Sequence, residues 1–310
     1  MKNYNFMEKR KTAFIIAAIV LVLGVASMFI RGFNLDIDFA GGSELTLDIK
    51  TNVNETEIST IKEIVKKAIN EEPSSVAKSG SNDNQVIIKT KELSNEQIDA
   101  IFAGLKEKYT AVTAEEFDSV QNVGATVSGD TQKTAIISSL AAVLLILVYI
   151  TIRFQFTSGL ASVICLAFNI FTMIAFYSLL QIPVNSNLIA ACLTILGYSI
   201  NATIVIFDRI RENSKKSNGD FSESANAAIH QTLGRSINTT ITTLLTIGMV
   251  YILGVDSIKN FALPIILGIV AGVFSSIFLG GPLWDIFNKV FASKKNDKTK
   301  KLNTTKAKKA

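Results

Sequence analysis

Two apolar stretches of the sequence carry stripes of mainly polar residues at the spacing of one helix face. They are Thr194, Gly197, Asn201, Val205 and Asp208 in one stretch, and Arg235, Thr239, Thr242 and Thr246 in the other, flanked by Asn238 and Thr243. Polar groups inside a bilayer are costly, so they usually face a bundle interior, where they mark a transport path or hydrogen-bond neighbouring helices. Both interpretations stay open for the threonines. Arg235 favours a functional role, because an arginine this close to hydrocarbon needs a partner.

The elements that must position these stripes are membrane helices. The chain has 310 residues, of which 48% are hydrophobic, and its mean hydropathy is +0.35. A spanning helix needs about twenty mostly apolar residues and pairs its backbone groups internally. Six stretches qualify, at 13–30, 135–152, 160–180, 188–207, 237–253 and 261–278. The sequence therefore predicts an all-α bundle of six transmembrane helices; a signal peptide at 13–30 is the alternative, but its apolar run is long for one.

The charge distribution predicts the orientation of this bundle. Residues 31–133 hold 18 acidic and 11 basic residues, whereas most other basic residues lie at 1–12, in 208–236 and in the tail at 285–310. Under the positive-inside rule both termini and the 208–236 loop are cytoplasmic, and 31–133 is an external domain. The tail is interpreted as a solvated tether, with contact to anionic lipid or ribosomal RNA as the alternative.

The external segment reads as a small α+β domain. Residues 44–49 alternate as a half-buried strand does, and 85–88 form a second strand. Asn54 with Glu57, and Ser94 with Gln97, are typical of capping boxes that open two helices. With a closing strand before residue 124, this β-α-β-α-β order predicts a ferredoxin-like extracytoplasmic domain with its helices on one face.

Nothing in the sequence indicates an enzyme, a cofactor or a metal site. Cys165 and Cys192 lie inside predicted spans without metal-site spacing, and His230 is the single histidine. The chain has no P-loop, no Gly-x-Ser-x-Gly elbow, no HExxH motif and no paired membrane carboxylates. We therefore expect neither catalysis nor nucleic-acid binding.

Longer strings around the stripes resemble the SecF family of protein-export membrane subunits. They are DIDFAGG at 36–42, VG at 123–124, GYSIN at 197–201, FDRIREN at 207–213, QTL and RSINT within 231–239, and SSIF at 275–278 with Pro282. The strings are collinear and span nearly the whole chain. The motif positions carried over are Asp38, Phe39, Gly41, Gly42, Gly197, Tyr198, Arg209, Arg211, Gly268, Gly272, Ser275 and Ser276. Phe39 and the chain length favour SecF over the related SecD.

The resemblance implies half of an RND-superfamily transporter in the bacterial cytoplasmic membrane. It implies a SecD partner that supplies six more helices, docking to the SecYEG translocon, and contact with translocating preproteins and membrane lipid. In that family the complex uses the proton motive force, or in some members sodium, to help pull preproteins outward.

One position departs from the family pattern. Many members follow Ser-Ile-Asn with an aspartate assigned to the proton path, but here Ala202 follows Asn201. Alanine carries no proton, so we expect either that a SecD partner supplies the membrane carboxylate or that the driving ion differs. Sodium bound by oxygens of Asn201, Ser199 and the threonines of the fifth span is one such hypothesis.

Two other functions remain open at this point. An RND-type small-molecule or lipid transporter would use the same polar stripes and external domain, although 310 residues are short for a self-sufficient pump. An assembly scaffold without ion coupling is the second alternative, and Ala202 keeps it open.

Overall fold

The predicted six-helix membrane bundle is confirmed. The computed structural model describes residues 4–80, 84–110, 112, 117–153, 155–216, 220–254 and 256–291. Six of the helices in this described part are long and apolar enough to cross a bilayer, which makes the chain a multi-pass membrane protein. They are α1 (Arg10–Arg31), α5 (Ala125–Arg153), α6 (Phe156–Leu180), α7 (Ser186–Lys216), α8 (Phe221–Leu253) and α9 (Asp256–Phe274).

Several of these helices run beyond the predicted spans. The segment 208–236, expected as a loop, is helical at both described ends because α7 ends at Lys216 and α8 begins at Phe221. The helix of α9 continues through a π-helical turn, Ser275–Leu279, to Phe291. The basic tail therefore does not begin at 285 as expected.

Packing explains the longer last helix. Trp284 and Asp285 are buried, and Asp285 accepts a hydrogen bond from Arg10 at 3.1 Å and from Lys289 at 2.8 Å. A buried carboxylate needs such partners, and they hold this part of the chain against α1. Residues 292–310 of the predicted tail lie outside the described residues.

The segment between α1 and α5 forms a four-stranded antiparallel sheet with two long helices, called here the sheet domain. Its elements are α2 (Ile37–Ala40), β1 (Gly42–Asp48), α3 (Glu55–Ile69), β2 (Ser75–Ser79), β3 (Gln85–Thr90), α4 (Asn95–Lys108) and β4 (Ser119–Val123). The strand order is β2-β3-β1-β4. Strand β2 is one more than predicted, because only one of its five side chains, Val76, is buried and the sequence lacks a clear alternation there.

One face of the sheet holds the core of the sheet domain. Leu45 pairs with Ile88 and Leu47 pairs with Val86 across β1 and β3, and all four side chains are fully buried in one cluster with residues of α3 and α4. The predicted capping box at Ser94 is confirmed. The Ser94 hydroxyl accepts a hydrogen bond from the backbone amide of Gln97, and the Gln97 side chain accepts one from the backbone amide of Ser94.

The other long helix begins with half of the predicted box. Asn54 accepts from two backbone amides of α3, but the Glu57 carboxylate accepts a hydrogen bond from Tyr109 instead of returning to its own cap. Glu57 thus joins α3 to the end of α4.

Helices α6, α7 and α9 form the buried centre of the bundle. Helix α1 packs on α6, α8 packs on α7 and α9, and α5 packs on α6 and α7. The spans of α5 and α8 are the least buried, at 11% each. We call the end of the bundle that contacts the sheet domain the domain end, and the opposite end the far end.

Candidate functional site

The stripe on α8 faces outward from the bundle. Arg235, Asn238, Thr239, Thr242 and Thr246 are all exposed. The Thr242 and Thr246 hydroxyls donate to backbone carbonyls of their own helix, at 2.8 and 3.0 Å. Among the described residues, the hydroxyls of Thr242 and Thr246 thus bond within α8 rather than to another helix.

The stripe on α7 is exposed as well. Thr194, Gly197, Asn201 and Asp208 are exposed and Val205 is half-buried. Tyr198 lies beside the stripe and donates its hydroxyl to Thr240 of α8 at 3.0 Å. The two helices are thereby held together, and both stripes lie on the surface of this chain.

The far halves of the two stripes meet in an open cleft of about 380 Å³ between α5, α7 and α8. Asp208, Arg235, Val205 and Tyr149 line it. Arg235 lies eighteen residues before the end of α8 at Leu253, about 27 Å along the axis, close to the ~30 Å thickness of hydrocarbon. Within the described residues neither Arg235 nor Asp208 has an ion-pair partner, and the cleft is also lined by the ion-paired Arg209 and Glu212.

Arg209, which follows Asp208 and also lines the cleft, belongs to a network of polar and charged side chains. Arg209 donates to Gln231 at 2.6 Å and pairs with Glu212, which also pairs with Lys216 at 2.6 Å. Arg211 is half-buried at the same far end. This network joins the far ends of α7 and α8.

Of the residues expected to coordinate sodium, Ser199 lies apart from Asn201. Ser199 is buried and accepts a hydrogen bond from Asn169 of α6, whereas Asn201 and the stripe threonines Thr239 and Thr242 are exposed. Positions i and i+2 of an α-helix are about 200° apart around its axis, so Ser199 and Asn201 do not share a face. Ser199 therefore belongs to a different site from Asn201.

Ser199 lies in a buried polar layer between α6, α7 and α9. Thr203 shares a hydrogen bond of 2.9 Å with Ser276, Ser275 donates to the Gly272 carbonyl at 3.0 Å, and all of these side chains are buried. The Asn169 carbonyl oxygen has no hydrogen-bond partner among the described residues. Our sequence reasoning missed Asn169, although an isolated asparagine in an apolar span was the available signal.

Gly268 and Gly272 allow α9 to approach α7 closely. A Cβ atom at Gly268 would lie 2.0 Å from Cδ1 of Ile195, and one at Gly272 would lie 3.0 Å from the Ser199 hydroxyl. The two glycines thus face α7, with Gly272 at the polar layer.

The DIDFAGG string forms a connection between sheet domain and bundle, called here the anchor (residues 36–42). Asp36 is buried and caps α2. Its carboxylate accepts two hydrogen bonds from the Lys89 ammonium of β3, at 2.7 and 2.9 Å, and one from Asn185 before α7, at 3.2 Å. Its amide donates to the Val184 carbonyl at 3.0 Å. One carboxylate therefore joins the sheet to the loop between α6 and α7.

The other motif residues of the anchor extend this connection. Asp38 accepts the amide of Ser186, the first residue of α7, at 2.8 Å. Phe39 is buried among side chains of α6 and α7, and its carbonyl accepts a hydrogen bond from Gln132 of α5. Gly41 and Gly42 have positive φ angles of 77° and 147°, and a Cβ at Gly42 would lie 2.3 Å from the Thr90 carbonyl oxygen. Residues 36–42 are thus closely packed against the bundle on one side and against the sheet on the other.

Lys89 lies at the centre of the anchor's charges. A cavity of about 140 Å³ lies between the sheet and the domain end of the bundle, and it is lined by Lys89, Asp36 and Glu44. Burial alone would lower the pKa of Lys89, but the hydrogen bond and the charge of Asp36, together with Glu44, outweigh it and raise the pKa above its ordinary value. Lys89 is therefore charged at neutral pH, and it bridges both carboxylates.

Two family models match the regions just described. The model "Protein export membrane protein SecD/SecF, C-terminal" matches residues 105–290, and the model "SecD/SecF GG Motif" matches residues 26–53, which include the anchor. The chain belongs to the SecD/SecF family. The SecD/SecF match from 105 to 290 covers both stripes, the far-end cleft and the buried polar layer.

Relatives named SecF match almost end to end, and a longer SecDF relative matches over part of its length. The chain is 36% identical to the protein translocase subunit SecF of Acidaminococcus fermentans, over 93% of this chain and 99% of that relative. It is 32% identical to the SecF subunit of Borreliella burgdorferi, over 92% and 98%. Against the SecDF subunit of Bacillus subtilis it is 30% identical over 91% of this chain but only 38% of the longer relative.

Solved SecDF structures share the fold. A crystal structure of SecDF from Thermus thermophilus, described as a translocon-associated membrane protein, matches with a TM-score of 0.77 and 31% identity over 94% of this chain. A second structure, SecDF in a super-membrane-facing form, matches with a TM-score of 0.68 and 28% identity over 95%. The chain spans 39% and 40% of those SecDF chains, so each contains a large part without a counterpart here.

Proposed function

We propose that this chain is an accessory subunit of a Sec protein translocase and acts, with a SecD partner, in late steps of preprotein translocation across the cytoplasmic membrane. The observation that carries the proposal is the match to a SecF-named subunit over 99% of that subunit's length. The longer SecDF relatives support a second membrane unit, because this chain accounts for 38% of the Bacillus subtilis subunit. The proposal assigns no enzymatic step to the chain.

The same proposal includes orientation and partners. We place both termini and the far end in the cytoplasm and the sheet domain outside, in agreement with the positive-inside rule. The exposed stripes of α7 and α8 are the surface we assign to SecD, because polar side chains in a span are tolerated against protein rather than lipid. SecYEG and translocating preproteins are the remaining proposed partners.

We assign the external domain to the ferredoxin-like class and give it a lever role. Its β-α-β-β-α-β order, with sheet order β2-β3-β1-β4, supports this class. The anchor supports the lever role, because Asp36 and Asp38 each bond to the segment that leads into α7. Movement of α7 would therefore be transmitted directly to the sheet.

For ion coupling we propose that the carboxylate near the midplane comes from SecD. Ala202 supplies none, and the two titratable or charged stripe residues, Asp208 and Arg235, lie together at the far-end cleft. The ion-independent scaffold is retained as a second candidate function because of Ala202.

Depletion of the chain in its native cell tests the main proposal. Pulse-labelled secretory proteins should accumulate as unprocessed precursor, and release of mature protein should slow. Normal export together with altered sensitivity to toxic small molecules, or with a lipid defect, would instead favour the small-molecule or lipid transporter.

Substitution in the far-end cleft tests ion coupling. Arg235→Gln should reduce export stimulated by an ion gradient, whereas Lys216→Gln, an exposed charge of the same helix hairpin, should not. Ala202→Asp should make export depend on pH, measured with and without sodium. If export by the parent complex is indifferent to dissipation of both gradients, the scaffold replaces ion coupling.

A further inference from the structure

A groove with apolar walls lies between α1 and α6, away from both polar stripes. Its volume is about 350 Å³, and its walls include Val20, Leu23 and Ile30 of α1 and Leu179 of α6. Leu23 is 64% exposed and Ile30 is 82% exposed, so the groove opens toward the surroundings of the bundle. In a membrane those surroundings are lipid acyl chains.

The floor of the groove is closed and its polar groups are paired. A Cβ atom at Gly24 would lie 2.7 Å from the Cβ of Ala175, so the two helices touch along the floor. The hydroxyls of Ser27 and Ser178 share a hydrogen bond of 3.1 Å. An occupant of the groove therefore meets an apolar wall and no unsatisfied hydroxyl from this pair.

A single cation stands at the domain end of the groove. Arg31, in the last turn of α1, also lines the groove and donates one N–H group to the Leu179 carbonyl at 2.6 Å. A guanidinium carries five N–H donors, and the others have no partner among the residues described. The side chain is exposed, and within the described residues no carboxylate pairs with it.

The dimensions of the groove match one leaflet. From Val20 to Arg31 the helix advances eleven residues, about 16 Å, which is roughly half of the ~30 Å hydrocarbon thickness. The stripes lie on α7 and α8, whereas the groove is lined by residues of α1 and α6. The groove is thus distinct from the surface assigned to SecD.

We propose that the groove between α1 and α6 is a binding site for an anionic phospholipid. One acyl chain lies along Val20, Leu23 and Ile30, and the phosphate accepts hydrogen bonds from the free N–H groups of Arg31. Arginine forms strong bidentate hydrogen bonds with phosphate. A headgroup of net negative charge is favoured over a zwitterionic one, because the choline ammonium of phosphatidylcholine would bring a second cation close to Arg31.

Native mass spectrometry of the purified full chain tests this site. The protein is released from bilayers of phosphatidylglycerol or of phosphatidylcholine with the same acyl chains, and retained lipids are counted. We expect retention of phosphatidylglycerol to exceed that of phosphatidylcholine about tenfold, and Arg31→Gln to remove the difference. Lys11→Gln, which removes one exposed charge at the other end of α1, is the matched control and should change nothing.

A second pair of variants tests the groove itself without touching Arg31. Leu23→Trp fills the groove and should reduce retention, whereas Val22→Trp, at a position that is 67% exposed and does not line the groove, should not. If Arg31→Gln fails to fold, Arg31→Lys takes its place as the test. It keeps the charge and should preserve the headgroup preference. Equal retention of both lipids by the parent chain, or equal effects of the two tryptophans, would overturn the proposal.

Discussion

The bond between Lys89 and Asp36 gives the sharpest test of how the sheet domain is held to the bundle. Replacing Lys89 with methionine keeps the length of the side chain but removes its charge. Asp36 would then remain buried, with 4% of its side chain exposed, and would keep only neutral donors, Asn185 and the amide of Ile37. A buried carboxylate without a cation is unfavourable, so the anchor should open more often.

The size of the effect follows from the burial of the pair. Removing one partner of a buried ion pair costs about 3–5 kcal/mol. Because 21% of the Lys89 side chain is exposed, we expect a smaller cost than this, about 2–3 kcal/mol in the free energy of opening the anchor. Each 1.4 kcal/mol is a factor of ten, so opening should become roughly 30- to 150-fold more frequent.

Hydrogen–deuterium exchange of the purified full chain measures this opening. The reporters are the amides of Asp36 and Val184, which bond across the junction at 3.0 and 2.8 Å. Lys91→Met is the matched control, because Lys91 pairs with Glu71 at the surface and should change exchange by less than about 1 kcal/mol. If the two reporter amides are as well protected in Lys89→Met as in Lys91→Met, the role we give to Lys89 is refuted.

Three further predictions concern Lys89, Gly42 and the packing of α9 against α7. The difference between parent and Lys89→Met should stay constant through neutral pH and vanish as pH rises above about 10.4 through the raised pKa of Lys89, measured by exchange at each pH. Gly42→Ala should strip protection from β1 and β3 by more than about 3 kcal/mol, since its Cβ meets a backbone carbonyl. Gly268→Ala should lower thermal stability in detergent by about 1–3 kcal/mol, and Ile195→Ala should recover part of that loss; Gly248→Ala, with open space around it, should be neutral or slightly stabilising. Equal effects at Gly268 and Gly248 would contradict the close packing of α7 and α9.

Sequence patterns predicted the spans because a bilayer imposes a simple local rule. Each apolar stretch satisfies its backbone within itself, so composition and length suffice to find it. The cap at Ser94 was predictable for the same reason, since its partner Gln97 lies three residues away. Strand β2 has no such local signal, because its pairing with β3 rather than its own side chains holds it in the sheet.

Long-range contacts account for what the sequence left open at the candidate sites. Asp36 and Lys89 are 53 residues apart, and neither stands out in its own segment. Asp285 lies in the extended last helix, where Arg10, 275 residues away, pairs with it. The stripe residues were found by helical spacing, but spacing alone did not show that both stripes lie on the outer surface.

The two polar regions of the bundle differ in how their polar groups are paired. In the buried layer Thr203 and Ser276 bond to each other, and Ser199 accepts from Asn169, so most of its polar groups are paired within the chain. Arg235 and Asp208 face the surface in the far-end cleft without a pairing charge among the described residues. Charges near hydrocarbon are stable against protein or water, so the open cleft is a surface that either water or a second membrane unit would cover. Under the proposed function this exposed surface is the part of the chain that a second membrane unit would cover, and the effect of Arg235→Gln on export tests that assignment.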